Sequence, residues 1–181
     1  YTFNLIDTPG HVDFTYEVSR SMAACEGALL IIDASQGVEA QTVSNAYMAI
    51  DSNLDIIPVI NKIDMPNADI ESATKQTVEL LGCDESEVIS ISAKSSINIE
   101  QVFDAIINRI SPPKDPGIDK TRALIFDSNF DQFRGVIPYV RVMDGYIEKG
   151  MTCQYFASSS VHEITEVGIL KMKSAGPCHC S

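Results

Sequence analysis

The 181-residue sequence predicts an α/β architecture built on a parallel sheet, followed by a smaller β-rich segment. Three observations carry that expectation. Apolar runs and amphipathic runs alternate from Tyr1 to Ile110, the pattern of strands joined by crossover helices. The apolar runs are continuous, as strands covered on both faces require. Then Ser111-Pro112-Pro113-Lys114-Asp115-Pro116-Gly117 breaks the pattern, because prolines there can continue neither a helix nor a central strand.

The elements follow in order. Residues 1–6 read as a buried strand that delivers Asp7-Thr8-Pro9-Gly10-His11 to its carboxyl end, where open α/β sheets bind ligands. In 14–26, Phe14, Val18 and Met22 recur at helical spacing and Gly27 supplies a stop. Residues 28–33 form an unbroken apolar strand ending in Asp33, which could stand behind a metal ion at the strand ends but better suits a turn or helix cap. The run 39–52 places Val43, Ala46, Tyr47 and Ile50 on one helical face. A second apolar strand, 56–60, closes in Asn61-Lys62-Ile63-Asp64, and Pro66 breaks the chain. Asp69 is the expected cap of a helix to about Leu81, and Gly82 its terminator. A third strand, 88–91, closes in Ser92-Ala93-Lys94. It precedes a helix whose stripe is Ile99, Val102, Phe103, Ile106, Ile107 and Ile110.

Beyond the break, β-rich runs at 121–129, 136–142, 152–156 and 161–169 alternate with turn signals at 131–135, 143–145 and 148–150 and with a serine cluster. Short strands at this spacing predict an antiparallel barrel. Arg134 sits in the first turn, as a stabilising ion pair or a contact residue.

Three strand ends carry the chemistry. At the first, an aspartate such as Asp7 can hold a hydrated Mg²⁺, which prefers oxygen ligands and keeps several waters. Gly10 lets its N–H approach a phosphate oxygen, and His11 follows, placed to orient a water. At the second, Asp64 can accept two parallel hydrogen bonds from the N1–H and exocyclic amine of guanine. Adenine lacks that donor pair, and an unpaired site carboxylate penalises it by roughly 10⁴ or more. Lys62 can lay its stem along the base, and Asn61 can tie the loops together. At the third, the Ala93 N–H can donate to the guanine O6.

These motifs resemble those of the translational GTPases: Asp7-Thr8-Pro9-Gly10-His11, Asn61-Lys62-Ile63-Asp64 and Ser92-Ala93-Lys94 correspond to that family's third, fourth and fifth nucleotide-binding motifs. The run Val12-Asp13-Phe14-Thr15-Tyr16-Glu17-Val18-Ser19-Arg20-Ser21-Met22-Ala23-Ala24-Cys25-Glu26-Gly27 and the later Ala123-Leu124-Ile125-Phe126-Asp127-Ser128 resemble the elongation factor 4 branch. The resemblance covers roughly residues 1–170. It implies a P-loop NTPase-like GTPase domain over 1–111 lacking its first strand and phosphate loop, a linker over 112–120, a partial translation-factor β-barrel domain over 121–170 and an atypical tail over 171–181. It further implies GTP or GDP bound at Asp7, Thr8, Pro9, Gly10, His11, Asn61, Lys62, Ile63, Asp64, Ser92, Ala93 and Lys94. It also implies Mg²⁺ held through water by Asp7, with His11 catalytic. The implied partner is the ribosome, through rRNA and ribosomal proteins, and not DNA. The implied location is cytoplasmic, or mitochondrial in a eukaryote, with peripheral membrane association suggested by the family alone. The neighbouring branches are elongation factor G and the BipA-type factor. A reading from another class is a non-catalytic ribosome-docking module.

Composition narrows the classes. The net charge is −12, with 6 Lys+Arg against 18 Asp+Glu in residues 1–117 and 7 against 7 in 118–181. Neither part offers the broad basic surface with which proteins grip nucleic-acid phosphates. Five scattered cysteines do not form a disulfide framework and suit a reducing compartment. No run approaches ~18 uninterrupted apolar residues, and no signal peptide is visible. Cys178-His179-Cys180 is too tightly spaced to close a tetrahedral metal site and reads as a tail. No G-x-x-x-x-G-K-[ST] loop occurs in the sequence. That loop supplies phosphate-cradling N–H groups, a lysine and a Mg²⁺ hydroxyl ligand. The 181 residues alone are therefore expected to bind GTP weakly and to hydrolyse it little or not at all.

Overall fold

A computed structural model describes residues 1–8, 15–113 and 120–169. The expectations for Pro9, Gly10, His11, Phe14 and the tail 171–181 lie outside the described residues. The described residues form two compact units, one drawn from 1–113 with 124–141 and one from 120–123 with 142–169.

The first unit carries helix α1 (Thr15–Ala23), strand β1 (Gly27–Asp33), helix α2 (Ala40–Asp51), strand β2 (Asp55–Asn61), helix α3 (Ile70–Leu81), a 3₁₀ turn (Glu85–Glu87), strand β3 (Ile89–Ser90) and helix α4 (Ile99–Arg109). The strands form a parallel sheet in the order β1-β2-β3. Gly27 faces Asp55 and Asp33 faces Asn61 across β1 and β2. Val59 faces Ile89 and Ile60 faces Ser90 across β2 and β3. This register brings the ends of all three strands to one edge, where Asp33, Asn61 and Ser92 emerge.

The core sits on both faces of β2, as an unbroken apolar strand demands. Ile57 and Val59 pack with Ile89, Ile91, Val102 and Ala105 under α4. Ile60 points the other way and packs with Ala34 and Ala73, with Ile63, Ala68 and Val88 at the margin. Pro58 is buried in the same strand. The Ile60 carbonyl accepts from the Ile91 N–H at 2.7 Å, so this side of Ile60 faces β3. Two residues back, Pro58 turns its hydrogen-free nitrogen to the same side.

Helix α3 begins and ends where its caps predict. The Asp69 carboxylate accepts from the Ser72 N–H at 3.0 Å. Gly82 adopts φ +66° and donates its N–H to the Val78 carbonyl, the left-handed terminator that glycine enters without a Cβ clash.

Two expectations are corrected. Residues 1–6 form no strand and are mostly exposed, with Tyr1 98 % and Leu5 78 % accessible. A strand needs a neighbour for its N–H and C=O groups, and the described sheet contains only β1, β2 and β3. The segment instead sets the Phe3 ring 6.0 Å from Phe103. Phe103 itself, expected in the core stripe, is 49 % exposed. Ala105 takes its place against the sheet, because Val102 and Ala105, three residues apart, share the face that meets it.

Strands β4 (Arg122–Asp131) and β5 (Gly135–Asp144) pair as a hairpin, and β6 (Thr152–Gln154) pairs antiparallel with β7 (Val161–Glu163). The hairpin turn is fixed by Asp131 Oδ1, which accepts from the Phe133 N–H at 2.8 Å and the Arg134 N–H at 2.9 Å. Those two backbone donors, Arg134 first, hold the Asp131 carboxyl below its usual range. Within the first unit, Arg141 donates to the Ala24 carbonyl at 2.7 Å and pairs with Glu26, tying β5 to the end of α1. In the second unit, Arg122 clasps the buried Asp144 carboxylate at 2.6 Å.

Candidate functional site

The loops that leave β2 and β3 meet through a few hydrogen bonds. The Asn61 Oδ1 accepts from the Lys62 N–H at 2.8 Å and from the Ala93 N–H at 3.0 Å. One side-chain oxygen thus pins its own loop to the next. The Ala93 N–H, read from the sequence as a donor to a base, is engaged by Asn61 here. Ser92 is fully buried; its hydroxyl donates to Asp64 Oδ1 at 2.6 Å and accepts from the Ser95 N–H at 3.0 Å. A short bridge between Ser92 and Ile97, with N–H to carbonyl distances of 3.2 and 3.0 Å, keeps that loop tight. Backbone bonds from Ile63 N to the Ile91 carbonyl, 3.3 Å, and from Ala34 N to the Asn61 carbonyl, 2.9 Å, complete the frame.

Electrostatics follow from these partners. The Ser92 hydroxyl, ahead of every other influence, holds the Asp64 carboxyl below its usual range. Asp64 is therefore an anion at neutral pH, an acceptor-only group with its Oδ1 oriented by Ser92 and a second oxygen beside it. Lys62 takes a left-handed backbone, φ +67°, uncommon for a residue with a Cβ. Its ammonium reaches back to Asp33 Oδ2 at 2.5 Å. Asp33 Oδ1 in turn accepts from the Ser35 N–H at 2.8 Å and hydroxyl at 2.6 Å. The Lys62 hydrogen bond first, then the Ser35 hydroxyl, lowers the Asp33 carboxyl to about 2.

The donor set suits a guanine. The Asp64 carboxylate, with Oδ1 fixed by Ser92, offers the paired acceptors that the adjacent N–H donors of a guanine could use. The Asn61-Lys62-Ile63-Asp64 and Ser92-Ala93-Lys94 motifs are brought together, with Ile63 half-buried and Lys94 exposed. Asp7 and Thr8 are exposed and outside any helix or strand. Among the described residues no group of three or more His, Cys, Asp or Glu side chains could hold a metal. Sequence reasoning gave Asp33 a turn or helix cap, or a place behind a metal, and missed its reach to Lys62. Only the terminal position of each residue on adjacent parallel strands hinted at that pairing.

A family profile described as the elongation factor Tu GTP binding domain matches residues 1–112. The chain is 56 % identical over 170 residues to a chloroplastic translation factor GUF1 homolog of Physcomitrium patens, covering 94 % of this chain and 23 % of that protein. It is 53 % identical over 172 residues to elongation factor 4 of Chlorobium chlorochromatii, covering 95 % and 28 %. Elongation factor 4 of Gloeobacter violaceus is 56 % identical over 171 residues, covering 94 % and 28 %. The chain spans about a quarter of the length of these curated relatives.

Proposed function

Because the chain belongs to the elongation factor Tu GTP-binding-domain family, with elongation factor 4 among its relatives, we propose that it forms the base-reading part of a ribosome-associated GTPase acting in protein synthesis. Asn61, Lys62, Ile63 and Asp64, with Ser92, Ala93 and Lys94, recognise guanine. The observation that carries this reading is the Asp64 carboxylate held by the buried Ser92 hydroxyl, beside an Asn61 that fastens both loops.

On the phosphate side, the reading assigns Asp7 to Mg²⁺ through water, with Thr8 and Pro9 shaping the turn. Mg²⁺ is commonly bound through one or two carboxylates plus substrate phosphates, so a single aspartate is chemically sufficient beside a triphosphate. When bound, the ion neutralises charge that develops on the phosphate oxygens. The Gly10 N–H meets the terminal phosphate. His11 orients the attacking water, the role a glutamine fills in small GTPases. The β-rich residues 121–170 are assigned to a partial translation-factor barrel domain that meets rRNA and ribosomal proteins. The location that goes with this activity is cytoplasmic or organellar. No helix among the described residues is long and apolar enough to cross a membrane.

The test replaces Asp64 with asparagine in the full-length protein and compares GDP with xanthosine diphosphate. Xanthine presents a carbonyl where guanine presents an amine, so a carboxylate repels it and an amide can donate to it. GDP affinity should fall and xanthosine diphosphate affinity rise, each by at least about tenfold, the scale of one well-made polar contact in a site. Equal affinities in both proteins would remove Asp64 from the base site.

A further inference from the structure

We infer that Asp33, at the end of β1, is a positioning residue for the nucleobase site: it holds the tip of the Lys62 side chain where the loop that leaves β2 begins. The inference rests on the guanine-binding reading and adds to it a residue outside its motifs.

The geometry runs from strand register to side chain. Asp33 and Asn61 are partners on adjacent parallel strands, so Lys62 emerges next to Asp33. The left-handed backbone at Lys62 is supported by its own N–H on Asn61 Oδ1. From there the ammonium meets Asp33 Oδ2 at 2.5 Å. Asp33 is not free to follow a wandering lysine. Its other oxygen is fixed by both the N–H and the hydroxyl of Ser35, and its side chain is only 15 % exposed against 54 % for Lys62. A rigid anion therefore holds a long flexible cation by its tip. A lysine stem has large rotamer entropy, and a stem already ordered loses less of it when a planar base lies against it.

The experiment is a double-mutant cycle in the full-length protein, read by equilibrium binding of a fluorescent ribose-labelled GDP. Asp33→Asn keeps an acceptor for Ser35 and removes the charge that holds Lys62. It should raise the dissociation constant about three- to tenfold, the scale of freeing one rotamer-rich side chain. In a Lys62→Met background the same change should move it less than about twofold, because the group through which Asp33 acts is gone. Asp33→Glu, which restores the anion, should recover most of the affinity. An equal loss in both backgrounds would mean that Asp33 acts through the Ser35 turn, and overturns the inference. So would unchanged binding in Asp33→Asn, or a glutamate as weak as the asparagine. If wild-type protein fails to bind the probe, the guanine-site reading itself fails, an outcome distinct from all of these.

Discussion

Replacing Asn61 with alanine tests the frame of the site independently of any ligand. The substitution deletes an oxygen that accepts two backbone hydrogen bonds, at 2.8 and 3.0 Å. Each such bond contributes about 1 kcal/mol net, and both donors belong to exposed residues, so water replaces the lost partner and the larger penalty for a buried orphan does not apply. Against that loss of about 2 kcal/mol stands relief at Lys62, whose left-handed backbone costs about 1 kcal/mol and is free to relax. The net destabilisation should be about 1–1.5 kcal/mol. For a chain of 181 residues that is a fall in Tm of roughly 2–6 °C. Urea denaturation should show a lower midpoint at unchanged slope. Amide exchange should speed up at Ala93 and Lys62 while the β2 interior stays protected. Asn61→Asp keeps the acceptor and should hold both amides near their original protection. If the alanine variant loses less than about 0.3 kcal/mol, or aspartate exposes Ala93 as fully as alanine does, the two loops are not fastened by this oxygen.

Three further outcomes follow from other parts of the molecule. The Asp33 carboxyl titrates at about 2, below its unfolded value of about 3.9. Its contribution is therefore complete above about pH 4 and drains away as pH falls toward 2. Because Lys62 is half in water, screening limits that contribution to about 1 kcal/mol or less. The stability gap between wild type and Lys62→Met should narrow over that window in denaturant titrations. At the ends of α3, Asp69→Ala removes the cap on Ser72 and Gly82→Ala puts a Cβ into a left-handed backbone with open space around it; each should cost about 1 kcal/mol in thermal melts. Gly27→Ala is different in kind. Its Cβ would meet Ile110 Cδ1 at 2.5 Å and the Asp55 carbonyl oxygen at 2.8 Å, and the backbone oxygen cannot swing aside. A loss of about 1–3 kcal/mol is expected from overpacking, and a neutral melt would contradict that packing at the start of β1.

Much of the first unit was legible because its signals are local. Asp69 and Gly82 bracket α3 through contacts within a few residues, and apolar runs of strand length announce β1 and β2. The motifs after β2 and β3 could be read as one site because parallel strands place their carboxyl ends together. What escaped prediction depends on partners distant in sequence. The pairing of Lys62 with Asp33 spans 29 positions and has no periodic signature. Ser92 belonged to a motif without a chemical role of its own until burial and its bond to Asp64 gave it a task. Residues 1–6 have strand composition, but composition does not supply a neighbour. Phe103 matched the helical stripe, yet the face that meets the sheet is narrower than the stripe of large side chains.

Pro58 has a quiet consequence. Its nitrogen looks toward β3 and has nothing to give, so the third strand cannot zip further back along the second. The seam between them closes only where Val59 and Ile60 meet Ile89 and Ser90. A slip by one residue would set a donor-less position into that seam and turn the side chains of β3 to the opposite face. One imino acid thus works like the stop on a ruler: it fixes the length along β2 at which Ser90 arrives level with Ile60, and so where Ser92 enters the loop beyond.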